Sequence, residues 1–255
     1  MPAIDEPYAY YSRYRKGEEY PVFARRNAED AFDETAKETI LFDGALEGKG
    51  KAYFDIGGLT HSPDHKLLAY SIDEQGSEYG TIRVREIETG LDLGVKIETS
   101  TGDVVWTRDS SAFYWVHKNE NGRTDRVYRH NLKTHADTLI YTEADEGFFV
   151  GISESQSGDI VFITANDHTT SECHWISADE TSSTGLNLIS ARIPGHEYEV
   201  VHHGGAFYIQ TNIDDAVDFK IMRAELGATH HKDWTEIVPH RPCLLYTSPS
   251  PRDRG

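Results

Sequence analysis

The chain has 255 residues, enough for one large domain with a substantial hydrophobic core or for two small ones. Its 43 acidic residues outnumber the 25 basic ones, and the formal net charge is −18. Because binding to a phosphate backbone calls for a basic face, this balance argues against nucleic acid as a partner. Two interpretations of the charge stay open: an acidic surface that keeps the protein soluble, or a negative cavity that attracts cationic ligands.

Redox and targeting signals are sparse. Cys173 and Cys243 are the only cysteines, a usage that fits a reducing cytosol without a disulfide framework. No window approaches the ~18 consecutive apolar residues of a membrane span, and the N-terminus lacks a basic region followed by an apolar one. We therefore expect a cytoplasmic protein with no membrane segment.

The beginning of the chain predicts three strands and one weakly helical stretch. Tyr8–Tyr14 and Tyr20–Arg25 are rich in β-prone residues, and Thr39–Phe42 has strand composition. The polar, acidic stretch Asn27–Glu38 leans weakly towards helix. We expect these segments to form a first sheet whose inner strand is missing or supplied from elsewhere.

The following stretch, Leu59–Gly90, shows the pattern on which the chain is built. Ser62-Pro63-Asp64 is a turn, because proline fixes φ and the Ser and Asp side chains bond their own backbone. Leu67–Ser71 is a short apolar strand, and the polar loop Asp73–Ser77 ends it. Thr81–Glu86 then alternates apolar and charged residues, which predicts a half-buried strand. Together they form a β-meander.

The same succession of strands and turns recurs three times, at Val104–Glu143, Val150–Ile189 and Tyr198–Val238. Equivalent turn positions fall at Asp64, Asp109, Ser157 and Gly204, with steps of 45, 48 and 47 residues. A period of roughly 40–50 residues with four short strands per repeat is typical of a β-propeller blade. We predict an all-β fold, a partial β-propeller of about five four-stranded antiparallel blades.

No segment matches a motif for nucleophilic catalysis in both its residue spacing and its predicted structural context. A serine hydrolase of the α/β type carries G-x-S-x-G on a strand-to-helix turn. Gly76–Gly80 and Gly151–Ser155 come closest, but both fail the spacing and lie in β-meanders. His202-His203-Gly204-Gly205 resembles an oxyanion loop but falls where the other repeats have a hairpin turn. We expect no catalytic residue in this chain.

Metal and cofactor signals are similarly weak. Among 13 histidines, His168 and His174 lie near Cys173, and His230 is adjacent to His231, but neither group has a second cluster at zinc spacing. Neighbours in a strand point to opposite faces, so Cys173 and His174 should not converge. No phosphate-binding loop or dinucleotide fingerprint is present. The sequence predicts no metal site and no cofactor.

The polar loops between the second and third strands of the repeats are better candidates for function. Such loops emerge on one face of a propeller, and function concentrates on loops that a rigid scaffold holds. The other interpretation is that they are solvated connectors. The four loops are Asp73–Glu78, Asn119–Arg126, Asn166–Glu172 and Asn212–Asp218.

Six segments carry a resemblance to a known family: EYPVF, SPDHKLLAYSID, VVWTRDSSAFYWV, VYRHNL, TTSECHWISAD and WTEIVPHR. In this order and spacing, over about Tyr8–Arg241, the chain resembles the oligopeptidase B branch of the prolyl oligopeptidase family of serine peptidases. The resemblance implies a seven-bladed propeller that caps an α/β-hydrolase domain, admits short peptides and serves cleavage after Arg or Lys. It implies that the catalytic triad lies in the hydrolase domain.

By this resemblance, residues 1–242 are part of such a propeller, with two or so blades and the hydrolase domain lacking. Short cationic peptides are then the substrates of the parent enzyme, and Glu78 is a candidate for a contact with an Arg of the hydrolase domain. Residues 243–255, CLLYTSPSPRDRG, look like a translated sequencing adapter and not like natural protein. We expect a truncated gene product that is inactive alone.

Two alternatives remain. A free-standing propeller that binds proteins or peptides would need a ring that closes on itself. A propeller enzyme with a site in its channel, such as a glycosidase or a metal-dependent phosphatase, would need paired carboxylates or histidines on the inner strands. The predicted inner strands offer Asp55 and Glu199 alone.

Overall fold

The structure is a computed structural model that describes residues 1–179 and 185–242. The predicted adapter-like tail, residues 243–255, lies outside the described residues. Contacts divide the chain into two compact units, Met1–Asp103 and Val104–Gly255. None of the helices in the described part has the length and hydropathy needed to cross a membrane.

The first sheet of the first unit has four antiparallel strands in the order β1-β2-β3-β4. Their bounds are Ala3–Asp5, Tyr8–Arg13, Val22–Asn27 and Thr39–Asp43. The expectation that the inner strand is missing is wrong, because β1 supplies a fourth strand. Three residues are too short to show an alternation of apolar and polar side chains. The predicted helical stretch contains a single 3-10 turn, Ala28–Asp30.

A four-residue helix, α1 (Gly44–Glu47), leads into the second sheet of this unit. Its strands, in the order β5-β6-β7-β8, are Asp55–His61, Leu67–Asp73, Gly80–Glu86 and Ile97–Trp106. Gly102 in β8 has φ 95° and packs against Gly58, where an added Cβ would lie 2.6 Å from the Gly102 carbonyl oxygen. Backbones approach closely at this point because neither residue has a side chain.

The second unit contains three sheets. The first has the order β8-β9-β10-β11, to which β8 contributes its last residues, from Val104. The second contains β12 to β15 and the third β16 to β19, each in sequence order. The strands are β9 Ala112–Lys118, β10 Thr124–Asn131, β11 Ala136–Thr142, β12 Phe149–Glu154, β13 Ile160–Asn166, β14 Ser171–Ser177, β15 Asn187–Ser190, β16 Tyr198–His203, β17 Ala206–Thr211, β18 Lys220–Glu225 and β19 Thr235–Val238. All pairs with a defined register are antiparallel. The predicted meanders are confirmed.

Strand β13 is buried on both faces, which explains why its sequence, IVFITAN, is almost continuously apolar. Val161 and Ile163 belong to a cluster that also contains Tyr114 of β9, whereas Ile160 and Phe162 belong to a cluster with Phe207 of β17. Successive side chains of a strand point to opposite faces, so a sheet covered on both faces needs apolar residues at every position. These clusters join each sheet of the second unit to the next.

The first unit has a core of the same kind. Phe42 of β4 packs on Tyr70 of β6 with ring centroids 5.0 Å apart, and Leu68 lies in the same cluster. All three side chains are almost completely buried. Burial of one such side chain stabilises the folded state by about 1.5–3 kcal/mol, so this cluster holds the two sheets of the unit together.

Candidate functional site

The three predicted loops of the second unit do join the second strand of each sheet to the third. Two of them are ordered by an Asn or Asp side chain that accepts backbone hydrogen bonds. Asn119 Oδ1 accepts from the amides of Asn121 and Arg123, at 3.0 and 3.1 Å. Asp167 Oδ1 accepts from the amides of Thr169 and Thr170, at 2.7 and 2.6 Å. These bonds fix the two loops as Asx-type turns.

The loops are also bonded to β12 and to the connection that leads into β16. The Val150 amide donates to Thr124 Oγ1 at 2.7 Å, and the Gly195 amide donates to Thr170 Oγ1 at 3.2 Å. Asn212 Nδ2 donates to the Gly195 carbonyl at 3.0 Å. Gly195 thus joins the second and third of these loops, and we call the three loops of the second unit, with the segments bonded to them, the loop face.

A partly buried ion cluster lies next to the loop face. The Arg192 guanidinium donates to Glu143 Oε2 at 2.6 Å and to Glu172 Oε1 at 3.0 Å, and it lies 3.9 Å from the centre of the Phe148 ring. Glu143 follows β11, Glu172 lies in β14, and Arg192 follows β15. The cluster thus joins consecutive sheets by charge-assisted hydrogen bonds.

Burial and hydrogen bonding have opposite effects on the pKa values of this cluster. Burial by itself would raise the pKa of Glu143, but bonds from Arg192, the Asp145 amide and Tyr141 Oη outweigh it, and the pKa lies below its usual value. Burial would likewise lower the pKa of Arg192, but the two carboxylates raise it. Desolvation and Glu143 raise the pKa of Tyr141. Glu143 and Arg192 therefore keep their ordinary charges at neutral pH.

The first unit contains the predicted contact residue Glu78. It is exposed, has φ 62°, and lies in the loop between β6 and β7. The Asp73 carboxylate accepts from the amides of Gln75, Gly76 and Glu78 at 2.8–3.0 Å. Desolvation would raise the pKa of Asp73, but these backbone donors outweigh it and lower the pKa. The backbone of Glu78 is thus fixed, while its carboxylate lies at the surface.

The sequence candidates that we set aside fall where the repeats predict. The His202–Gly205 segment is the hairpin between β16 and β17, with φ 58° at Gly204 and 76° at Gly205. Cys173 is buried against Tyr198, whereas the His174 ring lies 5.1 Å from that of Tyr141, so the two side chains do point to opposite faces. Burial raises the pKa of the Cys173 thiol and leaves it unreactive.

The two carboxylates that the sequence predicts on inner strands lie at the surface. Asp55 is the first residue of β5 and Glu199 the second of β16, and both are exposed. Asp55 Oδ1 accepts from the Ile56 amide at 3.0 Å. Neither has the paired, buried carboxylate that general acid–base catalysis requires.

Sequence reasoning missed two groups that the structure brings together. Arg192 was not selected, although its partner Glu172 ends both a predicted loop and the TTSE motif. In the first unit, ligand atoms of Asp5, His61 and His65 lie within 4.8 Å of one another, the one such metal-compatible group in residues 1–179 and 185–242. Arg192 and its partners have no local spacing signal, because sheet packing brings them together. His61 and His65 are four residues apart, a spacing that could have drawn attention to them, but Asp5 joins them only through the fold.

Antiparallel sheets follow one another along the chain, β8 contributing to two of them, and apolar clusters lie between the sheets within each unit; this architecture defines a partial β-propeller. The family model described as "Prolyl oligopeptidase, N-terminal beta-propeller domain" matches residues 1–246. The chain belongs to this family.

Its relatives include named peptidases. The chain is 33% identical to dipeptidyl aminopeptidase BI of Pseudoxanthomonas mexicana, over 94% of this chain and 35% of the relative. It is 30% identical to protease 2 of Moraxella lacunata, over 89% of this chain and 33% of the relative. The chain thus spans about a third of the relatives' length.

Solved structures agree with this assignment. Oligopeptidase B of Leishmania major has a TM-score of 0.88 at 27% identity, over 94% of this chain and 34% of that one. Oligopeptidase B of Trypanosoma brucei, in a closed form with covalently bound antipain, has a TM-score of 0.85 at 29% identity, over the same shares. The expected resemblance to oligopeptidase B is confirmed.

Proposed function

We propose that this chain is the propeller part of a serine oligopeptidase, where it caps an α/β-hydrolase domain and limits entry to short peptides. The observation that carries the proposal is the family match over residues 1–246, in relatives of which the chain spans about a third. The remaining length of those relatives leaves room for a catalytic domain. The free-standing binding scaffold has no comparable support.

Reading the coding DNA beyond the codon for Arg241, from an independent clone, tests this proposal. We expect it to continue through further blades into G-x-S-x-G, followed by the Asp and His of a triad. A genuine stop codon near Pro242 would refute the proposal for this gene. The chain would then be a partial propeller that another chain must complete.

We further propose cleavage after Arg or Lys, as the resemblance implies. The formal charge of −18 supports this choice, since a negative surface draws cationic peptides towards an entrance. The name of one relative, dipeptidyl aminopeptidase BI, indicates the removal of dipeptides instead. The intact enzyme should be tested with fluorogenic peptides that end in Arg, Lys or Pro and with dipeptidyl substrates. Preference for Pro or for free dipeptidyl ends would contradict cleavage after basic residues.

The size limit needs its own assay. One Arg-containing sequence would be presented both as a short peptide and within a folded protein loop. We expect cleavage of the peptide alone, because the propeller narrows the access route. Equal cleavage of both would refute the role of the propeller as a filter.

We propose that Glu78 forms an ion pair with an Arg of the hydrolase domain when the two domains close. The support is local: the Asp73 carboxylate fixes the loop backbone, and Glu78 is exposed at the surface. In the intact enzyme, Glu78→Gln should lower kcat/KM by about tenfold, since an interdomain charge pair is lost. Glu88→Gln, in the exposed turn after β7, is the matched control. If Glu78→Gln leaves both activity and closure unchanged, the ion pair does not exist.

We also propose a cytoplasmic location. The low cysteine usage supports it, since secreted proteins more often carry disulfides. Fractionation of the source cells, with antibodies against the propeller, would test it. Recovery from the periplasm or the medium would contradict it.

A further inference from the structure

The first unit contains a compact group of potential metal ligands at the junction of its two sheets. Asp5 ends β1 of the first sheet, His61 ends β5 of the second, and His65 lies in the turn before β6 with φ 59°. One ligand atom from each residue lies within 4.8 Å of the others. Two imidazoles and a carboxylate form a donor set that zinc and related divalent ions accept.

Hydrogen bonds orient His61 as a metal ligand would be oriented. His61 Nδ1 lies 3.1 Å from the Ser62 carbonyl oxygen, to which it can only donate. This bond leaves the lone pair on Nε2, which lies 3.5 Å from Asp5 Oδ2. Two ligands of a tetrahedral zinc ion are separated by about 3.3–3.5 Å, given bonds of about 2.0–2.1 Å. A ring nitrogen bonded to a backbone carbonyl is the usual support of a metal-bound histidine.

Tyr10 fixes both imidazole rings. Its ring stacks on His61 with centroids 3.8 Å apart, and its Oη lies 2.8 Å from His65 Nδ1. Arg25 Nη1 donates to the His65 carbonyl at 2.6 Å and so holds the turn. If His65 Nδ1 donates to Tyr10, its Nε2 is also free to bind a metal. Preordered ligands reduce the entropy that binding would otherwise cost.

The surroundings allow an ion to enter. A cavity of about 410 Å³ is lined by His61, Tyr10 and Leu59, among others. The Asp5 side chain is 58% exposed, so it can rotate to complete the coordination sphere.

We propose that Asp5, His61 and His65 bind one zinc-type divalent ion that links β1 to the turn between β5 and β6. The ion would join the first sheet of the unit to the second, in addition to their apolar core. A carboxylate and two imidazoles leave a fourth position for water. The site is independent of the proposed peptidase function, because it concerns this unit alone.

Zinc titration of the full 255-residue chain, after treatment with a chelator, tests the proposal. We expect one site whose affinity falls by at least about tenfold in Asp5→Asn and in His61→Gln. Asp5 is exposed, so Asp5→Asn keeps the fold even if a histidine variant does not. The double variant His230→Gln/His231→Gln is the control, because these adjacent rings, 4.1 Å apart, lie in the second unit and could also take up zinc.

Hydrogen exchange provides a second readout. Zinc should slow exchange of the β1 and β2 amides by about tenfold or more in the parent chain. It should leave the exchange of the same amides in Asp5→Asn unchanged. Absence of zinc binding tighter than about 1 mM would overturn the proposal. So would binding that survives both Asp5→Asn and His61→Gln, or that is lost in the His230/His231 control.

Discussion

Replacing Arg192 by methionine removes a cation from between two nearly buried carboxylates while keeping most of the apolar length of the side chain. The Glu143 side chain is 6% exposed and that of Glu172 is 14% exposed. Without the guanidinium, both carboxylates lose their charged partner, and the contact with the Phe148 ring is also lost. Water can replace the lost partner only in part at this depth.

The expected loss follows from the burial of the partners. Leaving a buried charge unpaired costs about 3–5 kcal/mol, and a cation above an aromatic ring contributes about 0.5–2 kcal/mol. The Arg192 side chain is itself 26% exposed, so solvent reduces the first value. We expect Arg192→Met to lower the free energy of unfolding by about 2–4 kcal/mol at pH 7.

The pH dependence gives a second signature. In the parent chain the pKa of Glu143 is lowered, so its stabilising effect is complete above the usual carboxylate range and is lost as the pH falls through the lowered pKa. In Arg192→Met the largest of the effects that oppose burial is removed, so the pKa of Glu143 rises. The stability difference between parent and variant should therefore shrink as the pH falls from 7 towards 4.

Tryptophan fluorescence during urea unfolding is the appropriate measurement. All four tryptophans, at positions 106, 115, 175 and 234, lie in the second unit, so their signal reports the unit that contains the cluster. Arg108→Met is the matched control, because Arg108 is 56% exposed and its partner Asp159 is 42% exposed. An exposed pair contributes about 0–1 kcal/mol. If Arg192→Met shifts the midpoint no more than Arg108→Met, the cluster is not a significant source of stability.

Two further predictions concern a buried histidine and a glycine. Burial, together with the charge of His231, lowers the pKa of His196 to about 4. The neutral His196 therefore contributes fully to the free energy of unfolding above about pH 6.5, and this contribution is lost as the pH falls from there to about 4. We expect urea unfolding to show a loss on the order of 2–3 kcal/mol in the free energy of unfolding over this range. The plot of stability against pH should be flatter for His196→Gln, and equal plots for parent and variant would contradict the assignment. Gly102→Ala should destabilise the first unit by at least about 2 kcal/mol, because the new Cβ would lie 2.3 Å from Ser71 Oγ at φ 95°. Gly90→Ala, at φ 69° with no neighbour within 4 Å, isolates the strain of a positive φ, and equal effects on the exchange of β5–β7 amides would refute the steric argument.

The sequence predicted those strands whose burial is regular. Thr81–Glu86 alternates and becomes β7 almost residue for residue, and the apolar run from Ile160 becomes β13. Strand β1 escaped prediction, because three exposed residues carry no periodic signal. The polar stretch after Asn27 was interpreted as weakly helical, but it forms only one 3-10 turn, since its propensity is too weak to sustain a helix.

By itself the sequence determined the repeat, the sheet type and the family resemblance, because alternation and turn residues act over a few neighbouring positions. The tertiary structure decided which charged groups meet. Arg192 lies 49 residues from Glu143 and 20 from Glu172, and Asp5 reaches His61 from a different sheet. Such contacts depend on strand register and on how one sheet packs on the next, which no short-range pattern encodes.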